Sequence, residues 1–77
     1  MNEPGTQPQP RPVLDPAKLV DLRNQRLLSQ DELAERAKVS RAQLSKHENG
    51  HWNPRPRVLR AYAKALGVKP QELLKAA

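Results

Sequence analysis

The chain has 77 residues, a formal net charge of +6, one Trp, one Tyr and no Phe. It has no run of about 18 apolar residues, which excludes a membrane-spanning helix, and no Cys, which excludes disulfides and thiolate metal sites. One small basic domain therefore favours a polyanionic partner, either nucleic acid or an anionic membrane surface.

The beginning of the chain is rich in proline, with five of the eight prolines within residues 1–16. This composition predicts a disordered or polyproline-II tail over residues 1–14 and a folded domain over residues 15–77. Val13 and Leu14 are expected to pack onto the folded part. The tail has no long apolar stretch, so we expect no secretory signal and a cytoplasmic protein.

Three helices are predicted from their caps and apolar spacing. Asp15 is a favourable N-cap for a helix over about residues 16–26. Two capping boxes of the Ser-x-x-Glu/Gln type predict helices over residues 29–38 and 40–49. The latter ends at Asn-Gly, a common helix stop, and is expected to turn Leu44 and His47 inward.

Two further helices are predicted near the C-terminus. One begins at Pro56 with an amphipathic stripe and ends before Gly67, and a short last helix begins at Pro70. No segment alternates in the manner of a strand. The predicted fold class is therefore all-α, with five short helices.

The link between the second and third helices is the informative feature. Lys38 and Val39 form a turn too short for a long antiparallel hairpin, so the pair is expected to cross at the angle of a helix-turn-helix. Val39 is expected to be the apolar residue buried in the turn. The small side chain of Ala34, in the second helix, would let the third helix approach closely.

Four short motifs follow one another in the chain: Ser-Gln-x-Glu-Leu-Ala, Val-Ser, Glu-Asn-Gly and Ala-Leu-Gly-Val. With the surrounding residues 19–50 and 59–74, they resemble the phage-repressor-like (Cro/Xre-type) helix-turn-helix family. The resemblance implies a lambda-repressor-like domain whose third helix recognises DNA. Leu27 and Lys38 stand where that family frequently has Gly, and a left-handed Lys38 would cost about 1–2 kcal/mol.

Charge supports the same interpretation independently. Residues 36–64 hold eight basic residues and one acid, whereas residues 15–35 hold three basic and five acidic residues. Most of this positive charge is expected to contact phosphates, which provides affinity without sequence information.

The third helix offers the candidates for base contact. Arg41 has the geometry to bind a guanine and Gln43 an adenine, while Ala42 suits a thymine methyl group. Lys46 lies one turn further and is expected at a base or a phosphate.

Polar side chains beside this helix are the candidates for backbone contact: Gln30, Ser40, Ser45, Asn53, Arg55 and Arg57. Gln30 is included because the resemblance places it at the DNA backbone, bracing a recognition-helix side chain. Trp52 is interpreted as a packing residue at the edge of the core rather than a DNA contact. The resemblance also implies a structural ion pair between Arg23 and Glu48.

Sequence-specific binding of double-stranded DNA, with a role in transcription regulation, is the leading prediction. Such domains commonly bind as two-fold dimers, and a homodimer is expected at least on DNA. The dimer candidates are apolar residues of the last two helices: Tyr62, Leu66, Val68, Leu73 and Leu74.

The alternative is an antitoxin or other module that binds a protein partner as well as DNA, for which the Pro-rich tail is a candidate segment. An enzyme is disfavoured because no catalytic constellation or phosphate loop is present. No cofactor or metal is expected, since Gly50 interrupts the helix between His47 and His51 and no third ligand is near.

Overall fold

The computed structural model describes residues 13–75. Most of the predicted tail, residues 1–12, therefore lies outside the described residues, as do residues 76 and 77. The described part contains α1 (Pro16–Gln25), α2 (Gln30–Ala37), α3 (Arg41–Glu48), α4 (Pro56–Leu66) and a 3-10 helix (Pro70–Leu73). The all-α prediction is confirmed, and the last of the five predicted helices is a 3-10 helix.

The predicted N-caps begin the first three helices. The Asp15 carboxylate accepts a hydrogen bond from the backbone N–H of Ala17 (3.0 Å). Ser29 forms a complete capping box with Glu32, with hydrogen bonds of 3.0 and 2.8 Å. Ser40 begins α3 in the same way. These bonds satisfy backbone donors that a helix start leaves unpaired, so local sequence determines where each helix begins.

Side chains from all five helical segments form the hydrophobic core. The largest fully buried residues are Tyr62, Leu19, Leu33, Leu44 and Leu73. Since the chain has no Phe, the described core consists of leucines and alanines around Tyr62.

This core corrects part of the predicted dimer surface. Tyr62, Leu66 and Leu73 are buried within the protomer, so they are not available to a second copy. An amphipathic stripe shows which side chains avoid water but not whether a core or a partner covers them. Val68 and Leu74 are only partly buried against the core.

Leu14 packs onto the domain as expected, although the predicted boundary placed it in the tail. The backbone N–H of Asp15 donates to the Leu73 carbonyl (2.8 Å), and that of Lys75 donates to the Val13 carbonyl (2.9 Å). This short antiparallel pairing of Leu14 with Leu74 seats the Leu14 side chain in the core. Val13 remains exposed.

Two non-glycine residues of the described part adopt left-handed backbone conformations. Leu27 has a φ of 57° in the turn after α1, and Lys38 has a φ of 60° at the end of α2. The Leu27 side chain is 89% exposed, so no buried contact offsets its backbone strain. Both are the positions at which the resemblance described above led us to expect Gly.

We expect Leu27→Gly and Lys38→Gly each to raise the free energy of unfolding by up to about 1 kcal/mol, because Gly adopts this conformation without a Cβ penalty. Urea denaturation measures the change. Arg36→Gly is the matched control, since Arg36 is an exposed residue within α2 and Gly there should destabilise by about 1 kcal/mol. Destabilisation by all three substitutions would contradict the assigned strain.

Candidate nucleic-acid interface

The turn between α2 and α3 sets the angle of the helix pair. Lys38 ends α2 in the left-handed conformation, and the backbone N–H of Val39 donates back to the Ala34 carbonyl (3.0 Å). Val39 packs partly buried against the core, and Ala34 is buried beneath the turn. The Val39–Ala34 hydrogen bond closes a tight turn, so that α3 begins at Arg41, shortly after α2 ends at Ala37.

Helix α3 divides into an inward and an outward side. Leu44 and His47 are buried, whereas Arg41, Ala42 and Lys46 are exposed. Arg41 lies 3.6 Å from the carboxylate of Asp31, with both side chains largely exposed, so water and salt weaken that ion pair and leave Arg41 available.

Gln43 and the two serines of α3 take part in local hydrogen bonds. The Gln43 Oε1 accepts from the Ser40 backbone N–H at 3.4 Å, and Ser40 Oγ accepts from the Gln43 backbone N–H at 3.0 Å. Ser45 Oγ accepts from the Asn49 side chain at 3.3 Å. A serine that accepts still has its own O–H to donate, and the long Gln43 bond is easily exchanged for another partner.

The other candidates for backbone contact separate into two groups. Arg55 and Arg57 are exposed at the beginning of α4. Asn53 is exposed but also makes an internal contact, because its Oδ1 accepts from the backbone N–H of Leu14 (3.0 Å) and joins the loop to the N-terminal segment. Gln30 also makes an internal contact, since its Nε2 donates to Glu48 Oε1 at 2.9 Å.

Arg23 and Glu48 form a two-pronged ion pair between α1 and α3. Arg23 Nε lies 2.7 Å from Glu48 Oε2, and Arg23 Nη2 lies 3.1 Å from Glu48 Oε1. A third guanidinium nitrogen donates to the Leu28 carbonyl (2.9 Å). The side chains are only 14% and 5% exposed. With Gln30, this cluster links α1, the α1–α2 turn, α2 and α3.

His47 faces the core, and its partner there is Tyr62, which the sequence did not reveal. His47 Nδ1 and Tyr62 Oη share a hydrogen bond of 2.7 Å, and the two rings meet edge to face, with centroids 5.6 Å apart. Burial lowers the pKa of His47. Burial, and secondarily the charge of Glu48, raises the pKa of Tyr62, so this pair is uncharged near neutral pH.

Residues 19–73 match the family model described as a helix-turn-helix, HTH_3. The chain belongs to the HTH_3 family. A comparison with curated protein sequences finds no match.

Solved structures that resemble this HTH_3 chain include two regulators. The restriction-modification controller protein C.AhdI from Aeromonas hydrophila is 30% identical, with a TM-score of 0.75, over 77% of this chain and 89% of C.AhdI. The clp gene regulator ClgR from C. glutamicum is 31% identical, with a TM-score of 0.68, over 71% of each chain.

A third similar structure belongs to an enzyme. Hydroxyethylphosphonate dioxygenase is 28% identical, with a TM-score of 0.73, over 84% of this chain but only 14% of the dioxygenase. The similarity thus covers most of C.AhdI and ClgR and a small part of the dioxygenase. The fold of this chain is that of DNA-binding regulators.

The HTH_3 domain concentrates its positive charge around α3 and the start of α4. The one acid within residues 36–64 is Glu48, and its charge is neutralised by Arg23. Within residues 13–75, no group of three His, Cys, Asp or Glu side chains is arranged to hold a metal ion. In the same range, no helix has the length and apolar character to cross a membrane.

We expect Glu48→Gln to lower the free energy of unfolding by about 3 kcal/mol, because it leaves the largely buried Arg23 guanidinium without its counter-charge. Chemical or thermal denaturation measures this loss. Glu35→Gln, at an exposed position of α2, is the control and should change stability little. An unchanged melting temperature for Glu48→Gln would refute the structural role of the pair.

We also expect stability to fall as the pH is lowered from about 7 to about 5.5. Burial holds the pKa of folded His47 below its ordinary value of 6.5, so the unfolded chain takes up the proton at a higher pH than the folded chain. Stability is therefore full above about pH 6.5 and decreases below it. The lowered pKa of Glu32, due mainly to its hydrogen bond with the Ser29 backbone, affects stability only below its ordinary value of 4.5.

The free energy of unfolding, measured across this pH range, tests that expectation. His47→Gln should remove the decrease, and His51→Gln, on the exposed loop, should retain it. A decrease that persists in His47→Gln would assign the effect to another group.

Proposed function

We propose that this chain binds double-stranded DNA sequence-specifically and regulates transcription, with α3 lying in the major groove. The observation that carries the proposal is the exposed side of α3. Arg41, Ala42 and Lys46 project outward there, while Leu44 and His47 anchor the opposite side in the core. A helix held in this way presents its first turns to base edges on a rigid support.

Each exposed side chain has a chemical role in the proposal. Arg41 reads a guanine through O6 and N7, and Ala42 contacts a thymine methyl group. Lys46, one turn further along α3, contacts a base or a phosphate. Gln43 reads an adenine after releasing its long bond to the Ser40 backbone. Arg55 and Arg57, together with Ser40 and Ser45, contact phosphates and set the register of the protein on the duplex.

We further propose that two copies bind a two-fold symmetric operator. One helix-turn-helix covers a short half-site, and two half-sites about 34 Å apart place two recognition helices in successive major grooves. With Tyr62, Leu66 and Leu73 in the core, the apolar surface left from the predicted set is Val68 and Leu74. Such a small surface favours dimer formation on DNA over formation in free solution.

The test is selection of the purified protein against random duplex DNA at two salt concentrations, followed by sequencing. We expect a two-fold symmetric motif that persists at the higher salt. A motif of one half-site would contradict the dimer. No enrichment, together with binding that disappears as salt rises, would overturn operator recognition and leave phosphate attraction alone.

Substitutions then separate base readout from backbone contact. Arg41→Ala should cost about 1–3 kcal/mol on the selected site and relax the preference at one base pair. Arg57→Ala should weaken binding to all duplexes similarly and reduce the salt slope by about one. Lys64→Ala, which removes an exposed charge from α4, is the control and should leave the selected motif intact. Equal effects of Arg41→Ala on selected and scrambled duplexes would refute base contact.

A further inference from the structure

The chain turns back on itself directly after α3. The backbone N–H of Gly50 donates to the His47 carbonyl (3.2 Å), and that of His51 donates to the Lys46 carbonyl (3.0 Å). Gly50 has a φ of 76°, a left-handed conformation that closes helix ends in this pattern. The reversal returns Trp52 to the side of α3.

Trp52 rests on a ring anchored in the core. Its indole meets His47 edge to face, with centroids 6.4 Å apart, and His47 is itself held by the hydrogen bond to Tyr62. Trp52 nevertheless remains 54% exposed. The packing role expected from the sequence therefore accounts for one part of the ring and leaves the other part open.

The Trp52 ring also has a cationic neighbour. The Lys46 ammonium lies 5.6 Å from the centroid of the Trp52 ring, within the distance at which a cation is attracted to an aromatic face. Trp52 also lines an open cleft of about 280 Å³ with Gln43, Arg55 and Arg57. The indole thus lies among the side chains assigned above to DNA.

A lysine on an exposed helix normally has many rotamers, and it loses them when it binds. A contact that restricts the side chain before DNA arrives removes part of that cost and increases affinity without adding a charge. The contact also limits the positions that the ammonium can occupy, so Lys46 can favour one base or phosphate over its neighbours.

We propose that Trp52 is a positioning residue that holds Lys46 in its DNA-binding orientation, so that the contribution of Lys46 to operator discrimination depends on the indole. This inference rests on the proposed function. It assigns a role in specificity to a residue outside the recognition helix.

A double-mutant cycle tests the coupling, using wild type, Trp52→Ala, Lys46→Met and the double variant on the selected duplex and on a scrambled one. Trp52→Ala should weaken binding to the selected duplex about two- to five-fold, the range that corresponds to a cation–π contact at an exposed site. It should have no further effect once Lys46 is Met. Trp52→Phe, which retains an aromatic face, should restore most of the affinity.

The salt dependence separates positioning from charge. Trp52→Ala should leave the salt slope unchanged, whereas Lys46→Met should reduce it by about one. Lys64→Met controls for the loss of one positive charge and should show no coupling with Trp52→Ala. Melting curves of each variant identify any loss of binding that comes from unfolding.

Fluorescence gives a measurement without DNA, because Trp52 is the one Trp of the chain. Lys46→Met should change the emission of the indole, and Lys64→Met should not. The inference is overturned if Lys46→Met leaves the emission unchanged, if Trp52→Ala costs as much in the Lys46→Met background, or if Trp52→Ala strengthens binding. Failure of the wild type to select any duplex would instead refute the proposed function.

Discussion

The orientation of α3 depends on one largely buried ion pair. Arg23 binds both carboxylate oxygens of Glu48, and the same carboxylate accepts a hydrogen bond from Gln30. Because these three residues come from α1, α3 and α2, the cluster ties α3 to the two helices that precede it. A charge held out of water is strongly penalised without its partner, so the folded chain favours the helix arrangement in which Arg23 and Glu48 stay paired.

The two ends of α3 are secured by different means. At the N-terminus, Ser40 and Gln43 form a local capping box. At the C-terminus, Gly50 closes the helix and the chain turns back so that Trp52 meets His47. The middle of the helix is held by Leu44 and His47 in the core. Arg41 and Ala42, on the outer side, therefore take no part in the core and are carried on a rigid backbone, as the proposed base recognition requires.

Sequence patterns predicted where the helices begin, but they did not distinguish residues of the core from residues of a dimer surface. Asp15, Ser29 and Ser40 cap helices as predicted, because a cap depends on groups within three residues. Tyr62, Leu66 and Leu73 were expected at a dimer surface and lie in the core, since periodicity does not distinguish two kinds of burial. The expected phosphate contact of Asn53 stays a prediction, and the sequence did not show that its side-chain oxygen accepts a hydrogen bond from Leu14, 39 residues away in the chain.

Local chemistry was thus sufficient for the all-α class, the helix starts, the helix-turn-helix and the concentration of positive charge, because each depends on neighbouring residues or on composition. Only the tertiary structure showed three other contacts. These are the pairing of Leu14 with Leu74, the His47–Tyr62 hydrogen bond and the position of Lys46 over the Trp52 ring. Each contact joins different segments of the chain, which are brought together only by close packing of the core. No local sequence pattern therefore identifies the partners.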